Sequence, residues 1–352
     1  MKKKLMTLMA LGATSLPAAA QTDGVMLYGL IDTTIRYSTN ENPAGDSRYQ
    51  MTDGSLTGSR WGIRGTESLG GNLKALFILE SGFSPDNGTS LQGGRLFGRT
   101  AVIGLEGDFG KIVLGRQFTL AHEVLSSYEA LGFPNNAIVG YQTPNYTGLR
   151  YDNTVKYIKS FGGLQTGATY TFGEVAGNTS ANSATAGSLV YSAGSFEVGG
   201  VYQVTHNVSS AYFGLPTSLA SKQTVWGLGG TWKASRAQYY LGYTNNRLDV
   251  ANYQNDAAYA GAKLNLLSAL NLIGSVQYDW LKHAADGGKR LTLAAVLDYD
   301  LSKRTDVYLQ GDYTRLRGGW IALNGMPGFA SAGNTFGNGS RVGLGVGVRH
   351  KF

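Results

Sequence analysis

The sequence predicts an all-β protein, a transmembrane antiparallel β-barrel of about 16 strands with a constriction loop folded into the lumen. Three observations support this fold class. From residue 24 onward, hydrophobicity alternates with period two over segments of about 8 to 14 residues, which is the signal of β-strands. Many of these segments end in Tyr or Trp. The connections between them alternate between short and long, as in outer-membrane barrels.

The composition excludes several other classes. The 352 residues contain 51 glycines and no cysteine, and only 15% are charged, against about 25% in a soluble globular domain. Without cysteine there is no disulfide framework, zinc finger or cysteine nucleophile. The four histidines lie far apart in the sequence, and we expect no catalytic metal and no cofactor. Beyond the N-terminus no apolar run approaches the roughly 18 residues of a membrane-spanning helix.

The N-terminus has the three parts of a secretory signal peptide. Residues 1–20 read MKKKLMTLMALGATSLPAAA, with a lysine-rich start, an apolar centre and a small-residue end. We expect cleavage after Ala20, which leaves residues 21–352 as one barrel domain of an exported protein. Three lysines of the chain, whose formal net charge is +7, belong to this segment. The basic charge is therefore weak grounds for nucleic-acid binding, and none is expected.

The last segment shows the alternation most clearly. From Arg341 to Phe352 one parity is apolar and the other carries glycine and charge. Strands of a soluble sandwich need only about 5 to 6 residues, whereas strands that cross a bilayer at a tilt need about 9 to 11. The observed lengths favour a barrel that closes on itself, because lipid offers no hydrogen-bond partners to an open edge.

Counting the segments gives sixteen strands, an even number as bacterial single-chain barrels require. We expect short connections to be periplasmic turns and long ones, near 38–55, 83–93, 118–149, 174–184, 208–221 and 317–338, to be extracellular loops, with both termini periplasmic. The predicted strands are 24–37, 56–68, 71–82, 94–107, 110–117, 150–160, 163–173, 185–193, 195–207, 222–233, 235–246, 255–266, 269–282, 289–301, 304–316 and 339–352.

Strand parity assigns charged residues to the lumen, which sixteen strands leave open. Arginines cluster on the inward parity of the N-terminal strands, and rings of Arg or Lys are how pores favour anions. The alternative is that each arginine is a solvated charge at the rim. The predicted pore-lining and constriction residues are Asp32, Arg36, Arg60, Arg64, Arg95, Arg99, Arg116, Glu123, Glu129 and Arg150.

The longest connection, 118–149, is predicted to be the constriction loop. It carries apolar residues that a loop facing water would not need, and structureless loops of this length are usually functional. The third and fourth predicted strands place apolar residues on the same parity as Lys74, Arg95 and Arg99. We therefore expect the loop to pack on that wall, with Glu123 and Glu129 facing its basic groups. The alternatives are an extracellular lid or an interface loop. The apolar wall residues are Leu76, Ile78, Phe97, Ile103 and Leu105.

Several stretches closely resemble the general trimeric porins of the beta-proteobacterial outer membrane. They read VMLYGLIDTTIRY, SRWGIRGTESLGGNLKALFILESGF, RLFGRTAVIGLEGDFGKIVLGRQFT and YDNTVKYIKS, with the ending VGLGVGVRHKF. The resemblance implies sixteen strands, a homotrimer, a constricting third loop and a preference for small anionic solutes. It also implies contact with outer-membrane lipid and lipopolysaccharide. Arg36 and Arg99 match positions of pore arginines, and Phe352 matches the family's assembly signal. The loop lacks the Pro-Glu-Phe-Gly-Gly motif of the enteric porins.

Two other functions remain open from the sequence. An outer-membrane barrel hydrolase would need a nucleophile beside histidine and carboxylates, and Ser126 and Ser127 lie near His122, Glu123 and Glu129. A substrate-specific channel for oligosaccharides or phosphate is favoured by an inward aromatic track, for which the candidates are Tyr28, Tyr240, Tyr259 and Tyr308. The function that the sequence favours is a passive, non-specific channel, not an enzyme, in the outer membrane of a Gram-negative bacterium.

Overall fold

The protein is a closed antiparallel β-barrel. A computed structural model describes residues 24–133, 147–206, 222–249, 252–283, 286–325 and 335–352, so the predicted signal peptide lies outside it. The strands are β1 (Gly24–Ser38), β2 (Arg48–Asp53), β3 (Arg60–Gly70), β4 (Leu73–Gly82), β5 (Thr100–Gly107), β6 (Gly110–Phe118), β7 (Arg150–Phe161), β8 (Leu164–Thr171), β9 (Ala184–Ala193), β10 (Phe196–His206), β11 (Lys222–Lys233), β12 (Ala237–Leu248), β13 (Gln254–Asn265), β14 (Leu270–His283), β15 (Asp286–Asp300), β16 (Thr305–Gly318) and β17 (Ser340–Lys351). Two short helices are also described, α1 (Leu120–Ser126) and α2 (Gly319–Gly325).

From β3 to β17 each strand pairs with its sequence neighbours, β2 and β3 both pair with β1, and β1 pairs with β17 to close the sheet. The pairing of β1 with β17 extends from Leu30, which lies opposite Lys351, to Ser38, which lies opposite Gly343. The terminal Phe352 continues this pairing, since its backbone N–H donates to the Gly29 carbonyl at 3.0 Å and its carbonyl accepts from the Gly29 N–H at 3.0 Å. Neither helix of the described chain is long and apolar enough to cross a membrane.

The seventeen segments form sixteen membrane-crossing strands, because β2 and β3 are two halves of one strand. β2 pairs with the end of β1 and β3 with its start. Between the halves, the Asp32 carbonyl accepts the Gly54 N–H at 2.7 Å, and the Asp32 carboxylate accepts the Thr57 N–H at 2.9 Å. The predicted strand 56–68 therefore missed β2, which the sequence assigned to a loop, because this interruption breaks the alternation.

The fourth predicted strand, 94–107, also begins later than expected. Regular pairing starts at Thr100, so Arg95 and Arg99 belong to the connection that precedes β5 rather than to the strand. Parity counted through this junction is wrong, and Ile103 and Leu105, predicted to face the lumen, point outward with 64% and 44% of their surface exposed. Leu76 and Ile78 of β4 share the inward parity of Glu80, as predicted.

Elsewhere the alternation holds over long stretches. In β17 Arg341 and Gly343 are buried on the inner face while Val342 and Leu344 are exposed on the outer face, as the sequence predicts. Outward aromatic side chains gather near both ends of the barrel, the arrangement of outer-membrane girdles. At the end of the barrel with the short turns, Trp232 stacks between Phe196 and Tyr239, with ring centroids 5.9 and 5.3 Å apart.

Candidate functional site

The long connection after β6 begins with residues 119–133, which pack on the inner face of the barrel and are called here the lumenal loop. Thr119 caps α1, since its hydroxyl accepts the backbone N–H of His122 at 3.0 Å. Such a cap satisfies a donor that the first helical turn leaves unpaired. The helix buries Leu120, Val124 and Leu125 almost completely. An apolar face on so short a helix forms only because a wall is present to cover it.

That wall is not the one the sequence predicted. Leu120, Leu125 and Tyr128 form a buried cluster with inward side chains of β9, β10, β11 and β13, on the far side from β4 and β5. For residues 119–133, the expectation that the loop packs on the third and fourth predicted strands is therefore wrong; residues 134–146 of the predicted loop lie outside the described residues. It depended on Ile103 and Leu105 facing inward, which the late start of β5 prevents. The wall residues of the cluster are Val190, Val201, Val225 and Tyr259.

Five glycines of the wall lie directly beneath the lumenal loop, where a side chain would collide with it. We call them the glycine seat: Gly167, Gly199, Gly227, Gly229 and Gly261. A Cβ built on Gly199 would lie 2.5 Å from the Tyr128 hydroxyl, and one on Gly227 would lie 2.6 Å from a Leu125 methyl. Both distances are shorter than real side chains tolerate, so the loop sits against bare backbone. The sequence analysis missed this seat. Its signal was glycine on the inward parity of β8, β10, β11 and β13.

The two carboxylates of the lumenal loop both have partners, Glu129 within the loop and on β14 and Glu123 on β7. Glu129 is 2% exposed, and its Oε2 accepts the backbone N–H groups of Leu131 at 2.9 Å and Phe133 at 3.0 Å. Its Oε1 accepts the Ser275 hydroxyl of β14 at 2.5 Å. Glu123 Oε1 accepts from Lys156 Nζ of β7 at 2.7 Å. Glu129 therefore does not face the predicted basic wall. Glu123 does pair with a basic residue of the wall, but that residue is Lys156 of β7 rather than one of the third and fourth predicted strands.

A second region of the lumen is rich in arginine. Tyr28, Arg60 and Arg99 converge on Glu80 of β4. Arg99 Nε donates to Glu80 Oε1 at 2.7 Å, the Tyr28 hydroxyl donates to Oε2 at 3.0 Å, and Arg60 Nε lies 3.6 Å from Oε2. Arg64 stacks over the Tyr28 ring at 5.1 Å. The carboxylate thus holds two guanidinium groups and a phenol in fixed positions.

The neighbouring part of this region is organised by Asp152 of β7. Arg95 and Arg116 donate to its carboxylate at 2.7 and 2.6 Å. Arg150 stacks over the Phe118 ring at 4.1 Å and interacts electrostatically with Arg99, Arg116 and Arg60. Neither Arg64 nor Arg150 forms an ion pair with a carboxylate of the described chain.

These side chains are called the arginine cluster: Arg60, Arg64, Arg95, Arg99, Arg116 and Arg150. Six guanidinium groups surround two carboxylates, Glu80 and Asp152, which leaves an excess of four positive charges. The sequence analysis predicted that the six arginines line the pore but did not include Glu80. It could have been found, because Glu80 has the same inward parity on β4 as Leu76 and Ile78. Regular alternation would turn Tyr151 to the opposite face from Arg150 and Asp152, whereas its hydroxyl bonds to Thr205 of β10 at 2.8 Å. The left-handed backbone of Asn153 shifts the parity there.

Arg36 and Asp32 face inward as predicted, but neither reaches the water of the lumen. Both are 0% exposed. Arg36 lies along the wall over Gly343 of β17 and pairs at 2.7 Å with Asp312 of β16. Asp32 accepts the Tyr308 hydroxyl at 2.6 Å. Their assignment as pore-lining groups is corrected, because glycine on the neighbouring strand lets Arg36 lie flat and be neutralised.

The geometry around His122 does not form a hydrolase triad. The imidazole stacks on Phe118, with centroids 4.5 Å apart, and its Nδ1 has no hydrogen-bond partner among the described residues. Burial, reinforced by the charge of Arg150, lowers the pKa of His122 to about 3, so the ring is neutral. The Ser127 hydroxyl donates to the Val124 carbonyl at 2.7 Å and the Ser126 hydroxyl to the Glu123 carbonyl at 3.5 Å.

The tyrosines proposed as a solute track do not form one. Tyr259 is 3% exposed beneath the lumenal loop, where its ring meets Phe133 at 5.8 Å. Tyr308 is 2% exposed and packs with Leu56, a residue of the interruption between β2 and β3. Two of the four candidate rings are therefore removed from solvent.

Comparison with known proteins agrees with this architecture. The sequence model of the family described as Gram-negative porin matches residues 7–319. The chain is 30% identical to an outer membrane porin protein of Bordetella pertussis and 30% identical to outer membrane porin protein 32 of Delftia acidovorans, each over the full length of both chains. Among solved structures, the anion-selective porin from Comamonas acidovorans aligns with a TM-score of 0.72 and 25% identity, covering 94% of this chain and 100% of that one. This chain therefore belongs to the Gram-negative porins, the channel-forming β-barrels of the outer membrane.

Proposed function

We propose that this porin is a passive, non-specific diffusion channel for small hydrophilic solutes that prefers anions. The observation that carries the proposal is the excess of four positive charges in the arginine cluster. Basic groups that line a pore attract anions and repel cations. The solved relative from Comamonas acidovorans is described as anion-selective, which supports the same direction here.

The proposed mechanism divides the work between two sides of the lumen. The lumenal loop on its glycine seat occupies part of the cross-section and sets the size limit. The arginine cluster supplies the positive electrostatic field through which solutes pass. Glu80 and Asp152 hold four of its guanidinium groups in fixed positions by ion pairs. We assign the ion-facing role to Arg60, Arg64, Arg95, Arg116 and Arg150, while Arg99, which is 9% exposed and bound to Glu80, contributes its charge from a buried position. The buried groups Asp32, Arg36 and Glu129 are excluded.

The remaining expectations from the sequence belong to the same proposal. Residues 1–20 are a cleaved signal peptide and residues 21–352 the barrel domain. Phe352, 41% exposed beside the closing strands, is the recognition signal for assembly. The barrel functions as a homotrimer and carries no enzymatic activity. The placement of the Ser126 and Ser127 hydroxyls on helix carbonyls supports the last point, because a nucleophile needs a base within hydrogen-bond reach.

Single-channel recording tests the proposal. The purified barrel is inserted into a planar bilayer, and the reversal potential is read under a KCl gradient. We expect stable conductance steps grouped in threes, with a reversal potential displaced toward the equilibrium potential of chloride. A cation-leaning potential would contradict the anion preference, and lack of conductance from folded barrels would contradict the channel. Conductance that saturates with one sugar or with phosphate, but not with chloride, would identify a substrate-specific channel instead.

A further inference from the structure

The chain between β2 and β3, residues 54–59, packs on the inner face of the barrel instead of extending the wall. We call it the strand interruption. Leu56, near its centre, is 9% exposed and forms a buried cluster with Val296 of β15 and Tyr308 of β16. Tyr308 reaches this position because Gly347, on the intervening strand β17, has no side chain, and a Cβ there would collide with the Tyr308 ring. The strand interruption is therefore a packed element of the lumen wall.

A carboxylate and a hydroxyl fix the conformation of the strand interruption. The Asp32 carboxylate accepts the Thr57 N–H at 2.9 Å through one oxygen and the Tyr308 hydroxyl at 2.6 Å through the other. The Ser59 hydroxyl accepts the Asp32 N–H at 3.0 Å and donates to the Asp32 carbonyl at 3.0 Å. Buried backbone groups that leave a regular ladder need such partners. Asp32 thus ties the strand interruption to β1 and to β16 at once.

The lumenal loop reaches the strand interruption after it leaves the glycine seat. Leu131 packs against the cluster of Leu56, Val296 and Tyr308, and it also packs against Ala294 of β15. The described part of the loop therefore has two separate supports on the wall. The first is the glycine seat on β8 to β13, and the second combines β15, β16 and the strand interruption.

Glu129 turns the loop toward the second support. Its carboxylate accepts the backbone N–H groups of Leu131 at 2.9 Å and Phe133 at 3.0 Å, and it accepts the Ser275 hydroxyl of β14 at 2.5 Å. A buried carboxylate with these three donors holds the backbone of residues 129–133 against β14. Because β15 is the next strand, Leu131 meets the cluster directly after this turn.

We propose that the strand interruption is a socket that positions residues 129–133 of the lumenal loop, with Leu56 and Leu131 as its positioning residues. Asp32, which the sequence places among the pore-lining groups, instead fixes the socket. The inference rests on the proposed channel function. A loop held at both supports gives the lumen one cross-section and an open channel one steady current. A loop held only at the glycine seat moves, and the current then fluctuates.

The variance of the current through a single open channel tests the socket. Leu56→Ala removes the apolar contact, and loss of a packed leucine shifts a local equilibrium by about tenfold or more. We expect the fraction of time with the segment displaced, and with it the current variance, to rise about tenfold. Leu131→Ala should have the same effect. The double variant should be no noisier than either single variant, because each change removes the same contact. Leu56→Met keeps an apolar side chain of similar volume and should retain the steady current.

Leu76→Ala is the matched control. Leu76 is 7% exposed on the inner face of β4 and lies outside the described clusters that contact the lumenal loop. Its variant should be as quiet as the wild type, and an equal rise in its variance would overturn the proposal. So would wild-type variance in Leu56→Ala and Leu131→Ala, or additive effects in the double variant.

Only inserted, conducting barrels are recorded, so the variance reports on the loop and not on the yield of folding. If Leu56→Ala does not insert, Leu131→Ala tests the same contact from the loop side. Lack of conductance from the folded wild type would contradict the proposed function, whereas a conducting wild type with unchanged variants would contradict the socket alone.

Discussion

The two sides of the lumen are built on opposite principles. The arginine cluster lies on β3, β6 and β7 and on the connection before β5. It is polar, and ion pairs with Glu80 and Asp152 hold four of its arginines in place. The facing wall of β8 to β13 carries glycine and small apolar side chains and is covered by the lumenal loop. One side presents long charged side chains to solvent, and the other removes side chains so that a segment of backbone can lie close.

The difference explains how one barrel can set charge and size separately. Long side chains held by paired carboxylates project a field without filling the lumen. A loop that packs directly on glycine backbone reduces the cross-section of the lumen by a fixed amount, because no space remains between the loop and the wall. Changes on the arginine side should therefore alter ion preference, while changes in the glycine seat should alter conductance.

The largest expected effect comes from reversing the two unpaired charges of the arginine cluster. Arg64→Glu/Arg150→Glu turns an excess of four positive charges into balance. We expect the permeability ratio of chloride to potassium to fall by about tenfold, as pore charge determines ion preference. The reversal potential under a KCl gradient measures the change.

A buried pair provides the control for that experiment. Arg36→Met/Asp312→Leu removes one positive and one negative charge that are 0% and 6% exposed. Replacement of a buried ion pair by apolar groups of similar size is often tolerated. The permeability ratio should stay that of the wild type. A shift as large as that of the Arg64/Arg150 variant would mean that exposure to the lumen does not decide which arginines act on ions.

The second effect concerns pH and the loop. His122 is neutral in its seat because its pKa is lowered to about 3, whereas an imidazole released into water titrates near 6.5. Acid therefore favours the released loop, and full seating is retained above pH 6.5 and lost as the pH falls below it. Between pH 7 and pH 6 the population of the released state should rise about threefold.

Cysteine labelling measures this release. The chain has no native cysteine, so Ser127→Cys carries the only thiol, and the exposed turn position Ser195→Cys corrects for the pH dependence of the reagent. The ratio of the two labelling rates should rise between pH 7 and pH 6. His122→Phe keeps the stack on Phe118 and cannot gain a proton, and its ratio should be constant. An acid-dependent ratio in that variant would assign the effect to another group.

The smallest expected effect is on conductance. A Cβ at Gly229 would lie 2.7 Å from Tyr128, and overpacking forces neighbouring groups to move. Gly229→Leu should push the loop from the wall toward the centre of the lumen and lower the single-channel conductance about twofold. Gly274→Leu is the matched control, since a Cβ there meets nothing within 4 Å on the outer face of β14. Equal conductance of the two variants would contradict the proposal that the packing of the loop on the glycine seat limits the conductance.

The sequence determined much of the fold, because a period-two pattern is a local property of the chain. The inward and outward faces of β1, β16 and β17, the closure of the barrel and the short turns all follow from it. Parity failed where the backbone departs from a regular strand, at Thr100, at Asn153 and at the interruption that separates β2 from β3. A single residue out of register reverses every later assignment on a strand.

Only the tertiary structure decided which inward residues face water. Arg36 and Arg64 share the same residue type and the same inward parity, yet Arg36 is neutralised by Asp312, 276 positions away in the sequence, and Arg64 is not paired with a carboxylate. The docking wall of the loop was likewise set by five glycines on four strands that meet only in the closed barrel. Alternation along one strand fixes a face, whereas exposure and contact depend on side chains that distant strands bring to it.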